Sequence, residues 1–395
     1  MATSQQQVQA VLAGVTDLLP VFAQRAQEAE DRRVLPAESV KALAETGFFR
    51  LLQPQSAGGL EADPLAFYTA VRAIASACGS TGWVASVVGV HPWQLALFPP
   101  QAQEDVWAND PATRMSSSYA PTGRATQTEG GHQIKGRWSF SSGCDYATWV
   151  LLGGIVTNDE GQPTDFRTFL LPASDYTIED VWDTVGLRGT GSNDIVVDGA
   201  FVPEHRSLSF TDVTRCVCPG QQVNAGALYR VPFGSIFSYA ITTPVIGMAT
   251  GAYAAHVEYQ RGRVRAAYAG QKAAEDPFGQ VRIAEAAALL DAAWAALERN
   301  MAELMTLARA GDKIPLPLRL RVRRDQVTGT GQAIRAVDLL FENSGGRALR
   351  TGTPIQRFWR DAHAGRVHAI NDPERALSTF GRGEFGHDIP PDAMI

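Results

Sequence analysis

One stretch near the C-terminus concentrates the side chains that could carry out proton chemistry. Residues 356–372 include three arginines and two histidines among small and apolar neighbours. Such a concentration of charge is costly inside a core, because a buried charge must be paired. A histidine has an ordinary pKa of about 6.5, so it can accept or donate a proton near neutral pH. We therefore predict that His368 is the group that transfers a proton.

The same stretch offers potential metal ligands in Asp361, His363 and His368. The two histidines are five residues apart, which separates them by about 140° around a helix. They do not share a face as an i, i+4 pair would, so the sequence predicts no metal site. A further histidine, His91, lies beside Pro92 and Trp93. Both a packed core role and a catalytic role remain open for it.

Two strand-like segments end in runs of hydroxyl side chains bounded by aromatic residues. One contains Ser117, Ser118 and Tyr119, and the other contains Phe140 and the pair Ser141-Ser142. Serines in such positions commonly bond only to the backbone of a turn. Two such ends in one domain also fit a site for a flat heterocycle with hydrogen-bonding edges. The sequence leaves both interpretations open.

The glycine-rich run Gly186–Ser192 could suggest dinucleotide binding. That fingerprint needs a helix after the glycines, whereas the β-branched run Ile195–Val197 follows here. The sequence therefore predicts a tight loop within a β domain, and a ligand nearby is left open.

Size, charge and cysteine usage narrow the classes of function. A chain of 395 residues is too long for one ordinary core, so two or three domains are expected. The net charge of −6 argues against a nucleic-acid partner, because no positive field offsets phosphate repulsion. The polar start Met1–Gln7 is unlike a signal peptide, and no apolar run reaches the roughly 20 residues that span a membrane. The cysteines lack zinc spacing, so we expect free thiols and a cytoplasmic protein without a membrane partner.

Three segments of different character must position these residues. The sequence predicts a helical domain over residues 1–113, a β domain over 114–222 and a helical bundle over 223–395. In the β domain, strands are predicted at Met115–Ala120, His132–Phe140, Thr148–Val156, Phe166–Leu171 and Ile195–Val202. In the bundle, helices are predicted at Ile241–Gln260, Asp276–Ala310, Leu318–Phe341 and Pro354–Ile370. The tract Arg206–Gln222 is interpreted as a connector.

Taken in order, several motifs resemble those of the acyl-CoA dehydrogenase fold superfamily. They are Trp138–Gly143, Gly186–Ser192, Arg263 on a bundle helix, Gly345-Gly346 and Arg357–Ala362. The resemblance covers essentially the whole chain. It implies an α+β fold with an N-terminal helical domain, a middle β-barrel-like domain and a C-terminal four-helix bundle.

One departure from the dehydrogenase pattern changes the expected chemistry. Many members of that fold carry a Tyr-Glu pair whose carboxylate removes the α-proton of a thioester. This chain has His368-Ala369 at that place, and no glutamate lies between Arg357 and Asn371. The chain is more similar to the oxygenase components of two-component flavin-dependent aromatic monooxygenases that hydroxylate phenols. The similarity is greatest to the branch acting on a phenolic secosteroid, through Gly79–Trp83, Ser116–Pro121, Gly186–Asn193 and Pro354–Asp372.

The resemblance implies a reaction, its cofactors and its partners. A separate NAD(P)H-dependent reductase supplies reduced flavin, which is FMNH₂ or alternatively FADH₂. O₂ is the co-substrate, and the product is a catechol formed by ortho-hydroxylation of a phenol. His368 then removes the phenolic proton, and His91 is a secondary polar contact. The family is usually tetrameric, so a homotetramer is expected.

The resemblance also implies which residues bind the flavin. Ser142 is expected at flavin N5, aromatic residues at the walls, and arginine at the phosphate across a subunit contact. The full set is Trp83, Ser117, Ser118, Tyr119, Phe140, Ser141, Ser142, Arg263, Gly346, Arg347, His368 and Ala369.

Other functions remain open at this point. The same chemistry could act on a small phenol, on indole or on an amino sugar. Acyl-CoA dehydrogenation ranks below these because the carboxylate base is missing. A catalytically silent flavin- or steroid-binding protein is the alternative outside enzymes.

Overall fold

The computed structural model describes residues 4–158, 160–390 and 393–395, so the first three residues of the polar stretch Met1–Gln7 lie outside it. Five described α-helices precede the sheet. They are α1 (Ser4–Arg32), α2 (Ala37–Glu45), α3 (Pro64–Ala77), α4 (Gly79–Leu95) and α5 (Pro100–Trp107). Helix α3 begins at Pro64 because the preceding Asp63 carboxylate caps it by accepting the Leu65 N–H at 2.9 Å.

Helix α4 crosses the interior and carries Trp83 and His91. All 17 of its residues are buried. Small and apolar residues occur all round it, so no amphipathic period reveals it in the sequence. Its glycines permit close approach: a Cβ at Gly79 would lie 2.6 Å from Asp361 Oδ2. The segment Gly79–Trp83 is thus the first turn of a buried helix.

A seven-stranded mixed sheet forms the middle of the chain. Its strands are β1 (Met115–Thr128), β2 (Gly131–Ser141), β3 (Trp149–Thr157), β4 (Pro163–Pro172), β5 (Thr177–Glu179), β6 (Asn193–Pro203) and β7 (Ser207–Ser209). The order is β5-β6-β2-β1-β3-β4-β7. Strands β1 and β3 pair in parallel, and the other neighbours pair antiparallel. All five predicted strands overlap observed ones.

The C-terminal part is again helical. Its elements are α6 (Phe210–Arg215), α7 (Phe233–Arg261), the short strands β8 (Val264–Arg265) and β9 (Gln271–Lys272), α8 (Pro277–Ala310), α9 (Leu316–Ser344), α10 (Pro354–Arg366) and α11 (Pro373–Glu384). Helices α7, α8, α9 and α10 pack together as the predicted bundle. The expected α+β class is confirmed, whereas the domain boundaries at 113 and 222 remain a prediction.

Three sequence-based expectations for this part need correction. Arg263 lies two residues after the end of α7, not on the helix. Helix α10 ends at Arg366 instead of Ile370, because the chain turns at Val367 and His368 into a short 3₁₀ turn over Ala369–Asn371. The tract expected as a connector contains β7 and α6.

Two apolar cores hold these layers. One is built from the helices, and the other lies around Trp138 in the sheet, where Trp138 Nε1–H donates to Gly153 C=O at 2.7 Å. Within the described residues, no helix combines the length and the apolar character needed to cross a membrane. All four cysteines are free.

Candidate active site

Three sequence-predicted residues from different elements meet at one place. Trp83 of α4 donates its Nε1–H to Ser142 Oγ at 3.1 Å. The Trp83 ring also lies beside the ring of His368, with centroids 6.0 Å apart. The turn after α10 approaches because Gly365 leaves room: a Cβ there would lie 2.9 Å from the Trp83 ring. The structure thus brings together the proposed base and the proposed flavin N5 contact.

A chain of hydroxyl groups leads away from Ser142 into the glycine-rich loop. Ser142 Oγ lies 2.7 Å from Ser192 Oγ, which lies 2.7 Å from Thr190 Oγ1. Thr190 donates its hydroxyl hydrogen to the Leu187 carbonyl at 2.8 Å. The loop therefore serves the site, although the sequence indicated only a loop there. Hydroxyl side chains inside the glycine run are the signal that could have identified these residues.

The strand end before Ser142 is bent out of the regular sheet. Pairing between β2 and β6 shifts between Trp138 and Ser141, and Phe140 has a φ of +71°. A bulky residue rarely adopts this conformation, which is most often found at functional sites. The bend leaves the Phe140 side chain 67% exposed, with its ring 6.0 Å from that of Trp182. Phe140 is thus available as a wall for a ligand.

The two neighbours of His91 fix the tautomer of its neutral ring. Its Nδ1 lies 2.8 Å from the Met115 carbonyl, which can only accept, so Nδ1 carries the hydrogen. Its Nε2 then accepts the Ser117 hydroxyl hydrogen at 2.8 Å. Burial lowers the pKa of His91 to about 4, so the ring is neutral at physiological pH. His91 therefore orients Ser117, and its catalytic role stays a prediction.

Tyr119 belongs to an aromatic group beside His91. Its hydroxyl donates to Gln94 Oε1, and burial raises the Tyr119 pKa. Its ring packs edge-on against Phe237 of α7, 5.1 Å away, and Phe237 stacks on Phe233 at 4.9 Å. These phenylalanines were not predicted from the sequence, because nothing local distinguishes them from core residues of α7.

His368 is half-buried and held by its own turn. The Ile370 N–H donates to His368 Nδ1 at 3.2 Å, so the neutral ring carries its hydrogen on Nε2. Burial alone lowers the pKa of His368 to about 4. Among the described residues, no hydrogen-bond partner is found for Nε2. His368 thus has one free ring nitrogen and lies beside Ser142's partner, Trp83.

The turn that carries His368 is anchored to the bundle by a buried amide. Asn371 has no exposed surface, and its Oδ1 accepts Gln326 Nε2–H at 2.7 Å. Its Nδ2–H donates to the Gly365 carbonyl at 2.9 Å. Buried Arg323 donates to the Ile370 carbonyl at 3.1 Å. These bonds set where His368 lies relative to α4.

Asp361 joins the three elements that form the site. Its carboxylate accepts the Leu187 N–H of the glycine-rich loop at 2.6 Å and packs against Gly79 at the start of α4. On the same helix, Arg357 and Arg360 pair with Glu30 of α1 at 3.0 and 2.5 Å. These contacts tie α10 to α1, to the start of α4 and to the glycine-rich loop.

The burial of Asp361 predicts a pH-dependent stability. Burial raises the pKa of this carboxyl to about 6, whereas an unfolded aspartate has about 3.9. The folded chain binds the Asp361 carboxyl proton more tightly than the unfolded chain does. This difference stabilises the fold fully below about pH 4, and the stabilisation is lost as the pH rises through about 6. The loss is about 3 kcal/mol. Relative to wild type, Asp361→Asn should therefore be about 3 kcal/mol more stable near neutral pH than near pH 3.

Denaturant unfolding of both proteins across this pH range measures the difference. Asp312→Asn, at an exposed aspartate, is the matched control and should show no such change. An Asp361→Asn difference that is constant with pH would contradict the assignment.

Arg263, Gly346 and Arg347 form a separate group. Arg263 donates to the Asn343 carbonyl at 2.9 Å at the end of α9, and Gly346 and Arg347 are exposed just beyond it. No contact in the described part of the chain joins this group to Trp83, Ser142 or His368. Their phosphate contact across a subunit contact stays a prediction.

The hydroxyl groups of Ser141 and Ser142 fit the hydrogen-bonding edge of a flavin ring. A hydroxyl group supports three hydrogen bonds, and Ser142 Oγ has two partners in the chain, so one bond remains available. Ser141 Oγ is buried without a partner, and Ser118 Oγ is committed to the Ser139 carbonyl at 2.7 Å. In the described residues, no cluster of three or more histidine, cysteine or carboxylate side chains could hold a metal ion.

Comparisons with known proteins agree with this geometry. The family model "Acyl-CoA dehydrogenase, N-terminal domain" matches residues 6–113, and "Acyl-CoA dehydrogenase, C-terminal domain" matches residues 239–373. The chain is 58% identical over 378 residues to "Flavin-dependent monooxygenase, oxygenase subunit HsaA" of Rhodococcus jostii, covering 96% of this chain and 98% of that protein. This chain belongs to the flavin-dependent monooxygenase oxygenase subunits.

Two further relatives of this family extend the comparison. A crystal structure of 3-HSA hydroxylase from Rhodococcus sp. RHA1 has a TM-score of 0.94 and 56% identity, covering 98% of this chain and 99% of that one. The "FADH(2)-dependent resorcinol hydroxylase, oxygenase component" of Rhizobium sp. is 39% identical, covering 95% and 93%. As an oxygenase subunit, the chain is a flavin-dependent aromatic hydroxylase that uses reduced flavin. This confirms the expected enzyme class and sets aside acyl-CoA dehydrogenation and a silent binder.

Proposed function

We propose that this oxygenase subunit hydroxylates a phenolic secosteroid, 3-hydroxy-9,10-secoandrosta-1,3,5(10)-triene-9,17-dione or a close analogue, ortho to its hydroxyl group. The shared contact of His368 and Ser142 with Trp83 supports the proposal, since the residues proposed as base and as flavin-edge contact both lie against one indole ring. The similarity to 3-HSA hydroxylase supports the steroid substrate. The phenylalanines beside Tyr119 offer apolar surface for such a substrate.

Reduced flavin, when bound, supplies with O₂ the oxygen atom that enters the ring. Ser142 contacts the N5 edge, and Ser117, Ser118 and Ser141 lie at the neighbouring strand ends. Trp83, Tyr119 and Phe140 form walls, and Ala369 leaves room next to His368 where a glutamate would introduce charge. Exclusion of water by these walls protects the reaction from unproductive loss of oxygen as peroxide.

His368 removes the phenolic proton in this proposal. A phenolate is a better nucleophile than a phenol, so loss of this proton favours attack on an electrophilic oxygen. To accept at Nε2, the neutral ring carries its hydrogen on Nδ1 and gives up the long 3.2 Å bond from Ile370. Burial alone lowers the pKa of His368. A phenolate formed beside the ring raises that pKa again, because its negative charge stabilises the protonated imidazole.

The remaining parts of the system follow the same proposal. Arg263, Gly346 and Arg347 of one copy contact the flavin phosphate bound by another, within a homotetramer. A separate NAD(P)H-dependent reductase supplies the flavin, which we propose to be FMN with FAD as the alternative. NAD(P)H is produced in the cytoplasm, which is the compartment we propose for the enzyme.

A substrate panel tests the proposed function. The purified chain is mixed with FMN, a general flavin reductase, NADH and air, and catechol formation is followed by mass spectrometry. We expect the secosteroid phenol to exceed 4-hydroxyphenylacetate and indole in kcat/KM by about 100-fold, because only the steroid fills the apolar part of the site. Equal or better turnover of a small substrate would overturn the steroid assignment.

A further inference from the structure

A narrow accessible groove runs along one face of helix α4. Trp83 and Val87 lie one turn apart on this face and keep 5% and 7% of their surface accessible, whereas Ala85 and Ser86 between them are fully buried. Gln94 lies eleven residues after Trp83, which is three helical turns to within about 20°. It therefore lies on the same face, about 16 Å further along the helix from the proposed flavin edge.

Helix α7 supplies an apolar wall to the far part of this groove. Phe233 and Phe237 stack at 4.9 Å and keep 8% and 4% of their surface accessible. The ring of Tyr119 packs edge-on against both, at 6.1 and 5.1 Å. The Tyr119 hydroxyl reaches Gln94, so the groove ends in a polar pair, Gln94–Tyr119, beside apolar rings.

The Gln94–Tyr119 pair has more hydrogen-bond donors than it uses. The tyrosine hydroxyl donates to Gln94 Oε1, and no group in the described residues accepts from Gln94 Nε2. Gln94 is 1% exposed, so water offers little compensation, and an unpaired buried donor costs about 1–3 kcal/mol. Turning the amide over does not remove the surplus, because the pair holds three polar hydrogens and its mutual bond uses one. A ligand that brings an acceptor to this end of the groove offsets the cost.

We infer that Gln94 recognises the substrate ketone that lies farthest from the phenol, by donating an Nε2 hydrogen to the ketone oxygen. The inference rests on the proposed function, whose substrate is a dione with a phenol at one end. From its bond lengths, an extended molecule of this kind separates the phenol oxygen from the far ketone oxygen by roughly 10–12 Å. A hydrogen bond of about 3 Å at each end extends this span to about 16–18 Å, which matches the distance along α4. Indole and 4-hydroxyphenylacetate are too short to reach Gln94 from the proposed base, so the contact favours the steroid.

Paired substrates test this contact. The kcat/KM of the dione is compared with that of the same phenol carrying a methylene group in place of the far ketone. Wild type, Gln94→Met and Tyr119→Phe are measured, and the ratio of the two values does not depend on the fraction of folded enzyme. We expect wild type to favour the dione about tenfold, mainly through KM, because the bond forms equally in the bound substrate and in the transition state. Gln94→Met keeps the length of the side chain without a donor, so its ratio should fall to about 1. Tyr119→Phe keeps the Gln94 amide and should still favour the dione.

The results distinguish this inference from the proposed function. If wild type hydroxylates neither phenol, the proposed steroid hydroxylation is wrong. If wild type hydroxylates both phenols with equal kcat/KM, the proposed function stands and Gln94 is not the ketone contact. The inference also fails if Gln94→Met keeps the wild-type ratio, or if only Tyr119→Phe loses it, since the donor is then another group.

Discussion

In the His368→Asn variant, hydroxylation at neutral pH should fall by about 10²–10⁴, the usual contribution of general-base catalysis. Asparagine keeps a side-chain oxygen that can accept the Ile370 N–H, as residues at such turns commonly do. The turn is therefore retained, and only the group that accepts the proton is lost. Binding of reduced FMN should remain close to wild type, since Ser142 and Trp83 are unchanged. Single-turnover hydroxylation and anaerobic flavin titration measure the two quantities.

The pH profile of this variant distinguishes a lost base from a disturbed site. Without His368, the reaction depends on phenolate formed in solution, and a phenol has a pKa of about 10. As the pH increases toward that value, the rate of the variant should therefore rise about tenfold per pH unit, in step with the fraction of phenolate. A variant that hydroxylates as fast as wild type, or one that stays slow at high pH, would show that His368 is not the base.

The Asn371→Ala variant should lose about 1–3 kcal/mol of unfolding free energy. Asn371 has no exposed surface, and its removal takes one hydrogen bond from Gln326 Nε2, which still donates to Thr242, and one from the Gly365 carbonyl, which still accepts the His368 N–H. Each lost hydrogen bond costs about 0.5–1.5 kcal/mol. Because the same bonds place the His368 turn, hydroxylation should fall together with stability. Denaturant unfolding at constant pH measures the first effect.

Two comparisons make the Asn371 result specific. Asn109→Ala, at an exposed asparagine, should change stability by less than about 0.5 kcal/mol. The double variant Asn371→Ala with Gln326→Ala removes both partners, so it should be less destabilised than the sum of the two single variants. Strict additivity would contradict the proposed coupling between the turn and α9.

The sequence predicted those elements whose side chains follow a regular period. Five of the seven strands of the sheet and the long helices α8 and α9 were predicted, whereas the three-residue strands β5 and β7 are too short to show a period. Helix α4 was not, because it is buried on every side and has no period to detect. The end of α10 was placed four residues too late, because Gly365 lies inside the last turn of the helix and no proline marks the turn at Val367.

The candidate site was likewise predicted only in part from the sequence. His368, Trp83 and Ser142 were identified from motifs, yet their meeting depends on packing between residues far apart in the chain. The bend at Phe140, the bonds of His91 and the anchoring by Asn371 are tertiary contacts that no local pattern encodes. The roles of Arg263, Gly346 and Arg347 remain predictions, because within the described residues their contacts lie at the end of α9 and do not include Trp83, Ser142 or His368.

One measurement tests most directly that this chain is itself the oxygenase. Chemically reduced FMN, the secosteroid phenol and oxygen-18-labelled O₂ are mixed with the purified subunit in a single turnover, without a reductase. We predict a catechol that carries one labelled oxygen atom on the ring carbon next to the original hydroxyl group. A product without the label, or full oxidation of the flavin without any catechol, would contradict the account.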